Sequence, residues 1–138
     1  HSLLHLLLRN MNGLHLIADL YGCRAASPVL IDCEHLETLC VEECRDAGLT
    51  PLGAYFYQFR DENGAPAGVT GTVVLAESHL AIHTWPETGD VTLDVYVCNF
   101  SRDNGDCARQ VYARVIAALN PSERVEHEVT RGRLPVEA

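Results

Sequence analysis

Lysine is absent. All ten basic residues of this 138-residue chain are arginines, so no enzyme lysine is available to form a Schiff base or to carry pyridoxal phosphate. Positive charge is scarce as well. Nineteen Asp and Glu against ten Arg leave a net charge of −9, which argues against a nucleic-acid or anionic-membrane partner and favours a cationic ligand. No apolar run reaches membrane-spanning length. The leucine-rich start (Leu3, Leu4, Leu6, Leu7, Leu8) is too short and lacks a small-residue cleavage site. The six cysteines (Cys23, Cys33, Cys40, Cys44, Cys98, Cys107) include no Cys-x-x-Cys pair and no accompanying His-rich cluster, so no metal site is expected. Several fall at helical apolar positions, where a free thiol packs as a small hydrophobe. This usage fits a reduced, cytoplasmic protein.

One further absence is local. Thr70 to Ala76 and Leu80 to Trp85 are β-branched, apolar runs that meet at Glu77-Ser78-His79 with no Gly or Pro at the joint. A hairpin normally marks its turn with Asn-Gly, Asp-Gly or Gly-X. Here the corner carries a carboxylate, a hydroxyl and an imidazole. It reads either as an unusual polar corner or as a place where the backbone itself reacts, since strain at tight turns gathers at functional sites.

What is present organises one domain. Length allows a single core. Residues 1–10 are set apart as an extension before Met11, which looks like a natural start, and 11–138 are read as the domain. Strands are predicted over Leu14–Tyr21, Leu52–Arg60, Gly68–Ala76, Leu80–Trp85, Val91–Cys98 and Arg124–Thr130. One helix should start at the N-cap Asp32 and stop at Gly48, with the stripe Cys33, Leu36, Leu39, Cys40, Cys44 and Ala47. A second runs from about Asp106 to Leu119, with the stripe Ala108, Val111, Tyr112, Val115 and Leu119, and is stopped by Asn120-Pro121. Gly22 to Pro28 and Asp61 to Pro66 read as connections. The order β-α-β-β-β-β-α-β implies an α+β fold, an antiparallel sheet with two helices on one face. Strand parity then leaves the other face polar, gathering Thr70, Ser78, His83, Asp94 and Cys98. Tyr55, Tyr57, Phe59, Trp85 and Tyr96 add aromatic surface outside the two helical stripes, of the kind found at interfaces and pockets.

Glu77-Ser78-His79, Ile82-His83-Thr84-Trp85-Pro86-Glu87, Leu93-Asp94-Val95-Tyr96-Val97-Cys98 and the opening Gly13-Leu14-His15-Leu16-Ile17-Ala18-Asp19-Leu20-Tyr21-Gly22-Cys23 together resemble the bacterial S-adenosylmethionine decarboxylase proenzymes, in register from about Met11 to Gly132. The resemblance implies a self-processing enzyme. Ser78 Oγ attacks the Glu77 carbonyl, the amide becomes an ester, and removal of the Ser78 α-proton cleaves the chain into 1–77 and 78–138. A covalent pyruvoyl group is left at position 78, with neither metal nor pyridoxal phosphate. It also implies His83 as the processing base, Thr70 (where Ser is usual) as its supporting hydroxyl, and Cys98 as the proton donor in decarboxylation. Phe59 matches the position that stacks on adenine and Glu87 the one that binds ribose hydroxyls.

Taken singly, Ser78 is a turn residue, His83 a hydrogen-bonded sheet residue and Cys98 a buried hydrophobe; together, at these spacings, they read as catalytic. The chain departs from the family pattern in a longer loop before Thr70, in Asp90 at a commonly aromatic position, and in Asn99 after Cys98 where Gly is common. Asp90 could hold a guanidinium or ammonium group, so the alternative to S-adenosylmethionine is decarboxylation of L-arginine or L-ornithine. A reading of another class is an unprocessed, non-catalytic partner subunit. The open polar face, with the family's habit of pairing protomers, implies a homodimer with active sites at the interface.

Overall fold

The computed structural model describes residues 12–25, 27–100 and 102–132; the expected extension 1–10 and Met11 lie outside them. The elements are β1 (Asn12–Tyr21), α1 (Ser27–Ile31), α2 (Cys33–Asp46), β2 (Pro51–Arg60), β3 (Pro66–Leu75), β4 (Ser78–Trp85), β5 (Asp90–Cys98), α3 (Gly105–Leu119) and β6 (Glu123–Gly132). The six strands form one antiparallel sheet in the order β2-β3-β4-β5-β1-β6. The α+β architecture is the one expected. A short helix, α1, replaces part of the connection read between Gly22 and Pro28.

The helix ends follow from their sequences. Asp32 accepts from the Glu34 and His35 amides at 2.9 and 3.3 Å, and this N-cap starts α2. Past its end Gly48 takes φ +92°. The Gly48 amide then reaches the Arg45 carbonyl and the Leu49 amide the Cys44 carbonyl, both at 3.0 Å, which is the paired closure that a left-handed residue permits. Asn120, at φ 51°, ends α3 with a single bond, its amide donating to the Ile116 carbonyl at 2.9 Å.

Alternation sorts the sheet. Leu14, Leu16, Ala18 and Leu20 from β1, Val69, Val73 and Leu75 from β3, Leu80 and Ile82 from β4, and Val91, Leu93, Val95 and Val97 from β5 are buried with Leu36, Cys40 and Cys44 of α2 and Ala108, Val111, Val115, Ile116 and Leu119 of α3. β6, at the edge, is exposed along its whole length. Among the described residues no helix covers the opposite face, and Tyr55, Tyr57, Phe59, Val74 and Trp85 are exposed on it.

Thr84, by strand parity a core position, is 4% exposed. Its hydroxyl accepts from the Val69 amide at 2.9 Å and donates to the Leu30 carbonyl at 2.7 Å, so it fastens α1 to β3 and β4. All six cysteines are free thiols. Burial pushes the Cys40 thiol far up and, with help from the Glu77 and Glu43 carboxylates, Cys44 up to about 12.

Three outcomes are expected. A thiol reagent at pH 8 labels Cys40 and Cys44 only after unfolding, as peptide mapping will show. Gly71→Ala, whose new Cβ overlaps the Phe56 ring, lowers stability in urea titration by about 1–3 kcal/mol. Thr84→Val strands a buried amide and carbonyl at a cost of about 1–3 kcal/mol by the same titration, and Thr84→Ser loses much less.

Candidate active site

The β3–β4 corner is a two-residue turn. Leu75 pairs with Ser78, leaving Ala76 and Glu77 as the loop. Such turns usually absorb positive φ at the loop residues themselves, through Gly, Asn or Asp. Here neither loop residue takes it. The positive φ falls on Ser78, at 151°, a backbone state that residues with a side chain rarely adopt. The parity expectation for Ser78 needs correcting: it pairs with Leu75 and Val97, both buried, so its register belongs to the helix-covered side. The positive φ breaks the alternation, and Ser78 Oγ lies 3.4 Å from Nδ1 of His79.

The Glu77–Ser78 peptide is pinned from several directions. The Glu77 carbonyl accepts from the Cys98 amide at 2.7 Å. Its side-chain carboxylate accepts from the Thr50 amide at 2.9 Å and the Thr50 hydroxyl at 3.0 Å, while the Ala76 amide donates to the Thr50 carbonyl. Cys98 is itself held at the end of β5, because the buried Asn104 side chain donates to its carbonyl at 2.9 Å. Asn99, at the departure from the family pattern, accepts from the Asn104 amide at 2.9 Å. A strained serine thus sits beside a carbonyl that already accepts a backbone N–H, the arrangement that lowers the cost of an oxyanion at that atom.

A second group lies toward the other end of the same strand. Thr70 and His83 are cross-strand partners, with Thr70 Oγ1 2.5 Å from His83 Nδ1, and the His83 and Trp85 rings stand 6.4 Å apart. Phe59, Thr70, His83, Trp85 and Glu87 line one cleft of about 370 Å³. Asp90 is not in it; it lines a neighbouring cleft with Trp85, Glu87 and Thr88. Ser78 and Cys98 are in neither. Five residues of extended strand separate Ser78 from His83, about 16 Å at ~3.3 Å per residue. Within one protomer the two expected processing residues do not meet.

Four residues given no role by the sequence reading, His15, His79, Asp94 and Arg131, join the Ser78 end. His15 Nε2 and His79 Nε2 both donate to Asp94 Oδ1, each at 3.1 Å, and Arg131 donates to His15 Nδ1 at 3.2 Å. Among the described residues these are the His, Cys and carboxylate groups whose ligand-type atoms converge, within 4.8 Å of one another; the hydrogen bonds account for that convergence. Their shared face was readable from parity. Their meeting depends on the β1–β5 register, which was not.

A family model described as S-adenosylmethionine decarboxylase matches residues 14–132. The chain belongs to the S-adenosylmethionine decarboxylase family. It is 38% identical over 120 residues to the S-adenosylmethionine decarboxylase proenzyme of Picrophilus torridus, covering 87% of this chain and 84% of that one. It is 42% identical over 119 residues to the proenzyme of Aquifex aeolicus, covering 85% and 78%. The crystal structure of adenosylmethionine decarboxylase from Aquifex aeolicus VF5 superposes with a TM-score of 0.74 at 34% identity, over 93% of this chain and 95% of that one. No helix among the described residues is long and apolar enough to cross a membrane.

The anchoring of Glu77 yields a further test. Thr50→Val keeps the amide bond and the shape but removes the hydroxyl bond to the carboxylate. This exposed charge-assisted contact is expected to be worth no more than about 1 kcal/mol in urea titration.

Proposed function

We propose that this chain is a self-cleaving decarboxylase of S-adenosylmethionine, whose product is the aminopropyl donor for spermidine synthesis. The observation that carries the reading is the Glu77–Ser78 junction: positive φ at the serine and a carbonyl on the Cys98 amide, in a chain whose relatives are named proenzymes. The residues there suit a group derived from Ser78. Converting Ser78 to a pyruvoyl group removes its α-proton and its backbone nitrogen, and with them the strained φ. When present, that carbonyl acts as an electron sink for loss of carbon dioxide from an α-amino acid.

The chain's own residues divide the remaining work. His83, held by Thr70, removes the Ser78 α-proton and so completes cleavage. Cys98, whose amide already steadies the Glu77 carbonyl, returns a proton to the substrate carbon through its thiol. Phe59 stacks on the adenine and Glu87 binds the ribose hydroxyls, in the cleft they share with His83. Asp90 lines the adjoining cleft with Glu87; a role in holding a guanidinium or ammonium group would serve only the alternative substrates, arginine and ornithine. No observation favours arginine, ornithine or a non-catalytic role.

The separation of Ser78 from His83 supports an obligate homodimer. His83 and Thr70 cannot reach the serine of their own strand. They can reach the other copy's serine if two open sheet faces pack about a two-fold axis, since that arrangement sets the Ser78 end of one β4 against the His83 end of the other. The exposed Tyr55, Tyr57, Phe59, Val74 and Trp85 are then covered. Each active site is composite: Ser78 and Cys98 from one copy, His83, Thr70, Phe59 and Glu87 from the partner.

Three measurements test this. Denaturing mass analysis is expected to find fragments 1–77 and 78–138, the latter with a pyruvoyl N-terminus, and carbon dioxide release is expected from S-adenosylmethionine and not from arginine or ornithine. A chain that never cleaves, or one active only on a basic amino acid, removes the proposal. For the dimer, co-expressed Ser78→Ala and His83→Ala chains are expected to regain cleavage that neither shows alone. A monomer that cleaves at a rate independent of concentration refutes the composite site.

A further inference from the structure

The ester-forming step needs its own base, and the geometry points to His79. We propose that His79, oriented by Asp94, is the general base that takes the Ser78 hydroxyl proton in the first step of self-cleavage. This rests on the reading of Glu77–Ser78 as the bond that is cut. The same chain's His83 lies about five strand residues away, ~16 Å, and the His83 that the composite site brings to Ser78 from the other copy is assigned to the α-proton, a different atom in a later step. His79 is the adjacent residue, and its Nδ1 lies 3.4 Å from Ser78 Oγ, a separation typical of a nucleophile–base pair before it tightens.

The tautomer is fixed by the network behind it. His79 Nε2 lies 3.1 Å from Asp94 Oδ1. The carboxylate can only accept, so the proton sits on Nε2 and Nδ1 keeps its lone pair toward the serine. His15 reinforces this. Arg131 donates to its Nδ1, so its Nε2 also carries a proton and donates to the same Asp94 oxygen. Asp94 is thereby held between two imidazole donors, and the Tyr96 ring packs against both histidines with centroids 5.2 and 5.8 Å away. Asp94, His79 and Ser78 stand in the order carboxylate, imidazole, hydroxyl that activates a serine elsewhere. Here Asp94 and His15 are positioning residues, and His79 alone touches the reacting atom.

The step balances within the chain. Ser78 Oγ gives its proton to His79 Nδ1 and forms a bond to the Glu77 carbonyl carbon. The resulting oxyanion keeps the hydrogen bond from the Cys98 amide. The carbon–nitrogen bond to Ser78 then breaks, and His79 hands the proton to the departing nitrogen. An amide has become an ester with a free amine, and nothing has been added or lost.

Neutral hydroxylamine cleaves esters and leaves amides intact, so it reads this step apart from the later one. In His83→Ala the ester should accumulate, and hydroxylamine should cut the chain after Glu77. Adding His79→Gln, which retains an N–H donor for Asp94 but supplies no base, is expected to slow formation of the hydroxylamine-sensitive species by ~10²–10⁴-fold. Asp94→Asn in the same background should slow it less, and it carries the test if the Gln variant melts early in circular dichroism. Ester formation at the parental rate in both variants overturns the proposal. If His83→Ala accumulates no ester while the native chain cleaves, the assignment of His83 has failed instead, and the native cleavage rate with and without His79→Gln decides the role of His79. A native chain that never cleaves removes the underlying reading.

Discussion

The hydrogen bond from the Cys98 amide to the Glu77 carbonyl is the contact on which the rest of the site depends. It joins the end of β5 to the β3–β4 corner and fixes the plane of the Glu77–Ser78 peptide bond. Without it the two-residue turn could relax its positive φ into the loop, as ordinary hairpins do. With it, and with Thr50 holding the Glu77 side chain, the corner is over-determined and the strain stays on Ser78. The Asn104 bond to the Cys98 carbonyl extends the same restraint into the start of α3, so the helical layer helps to set the geometry on the sheet.

The division of the sheet into two faces was readable in the sequence because strand parity is a local property. Val91, Leu93, Val95 and Val97 had to face the helices once Asp90, Thr92, Asp94 and Tyr96 faced away. The caps at Asp32 and Gly48 were readable for the same reason: each works through its own neighbours. Helix α1 was not foreseen, because five residues carry too little periodicity to register.

The site was legible in part. Ser78, Cys98, Thr70 and His83 are named by motif, and the pairing of Thr70 with His83 follows from the hairpin register. The His15–Asp94–His79 group was not, because it needs β1 inserted between β5 and β6, and no local pattern announces that. The position of Ser78 was misjudged because the pairing of Leu75 with Ser78 inverts odd and even between β3 and β4, so parity counted along β3 does not carry across the corner. Nor does the sequence reveal that Ser78 and His83, five residues apart and easily imagined as neighbours, stand at opposite ends of an extended strand. That distance makes the uncovered aromatic face intelligible as part of a catalytic arrangement rather than as unspent hydrophobic surface.

The strand order would also govern the molecule after the proposed cut. Scission after Glu77 leaves β1, β2 and β3 on one fragment and β4, β5 and β6 on the other. In the sheet the two sets interleave, because β1 lies between β5 and β6. Neither fragment holds a contiguous half of the sheet, and three of its five strand–strand seams join one fragment to the other. A molecule cut at the proposed site would thus be two interlocked peptides whose arrangement was dictated while they were one. Once unfolded, they face a bimolecular search for a topology that the intact precursor reached by chain connectivity. The proposed maturation would therefore erase part of the instructions for assembly, and the persistence of the active form would depend on how slowly it opens rather than on how readily it could be rebuilt.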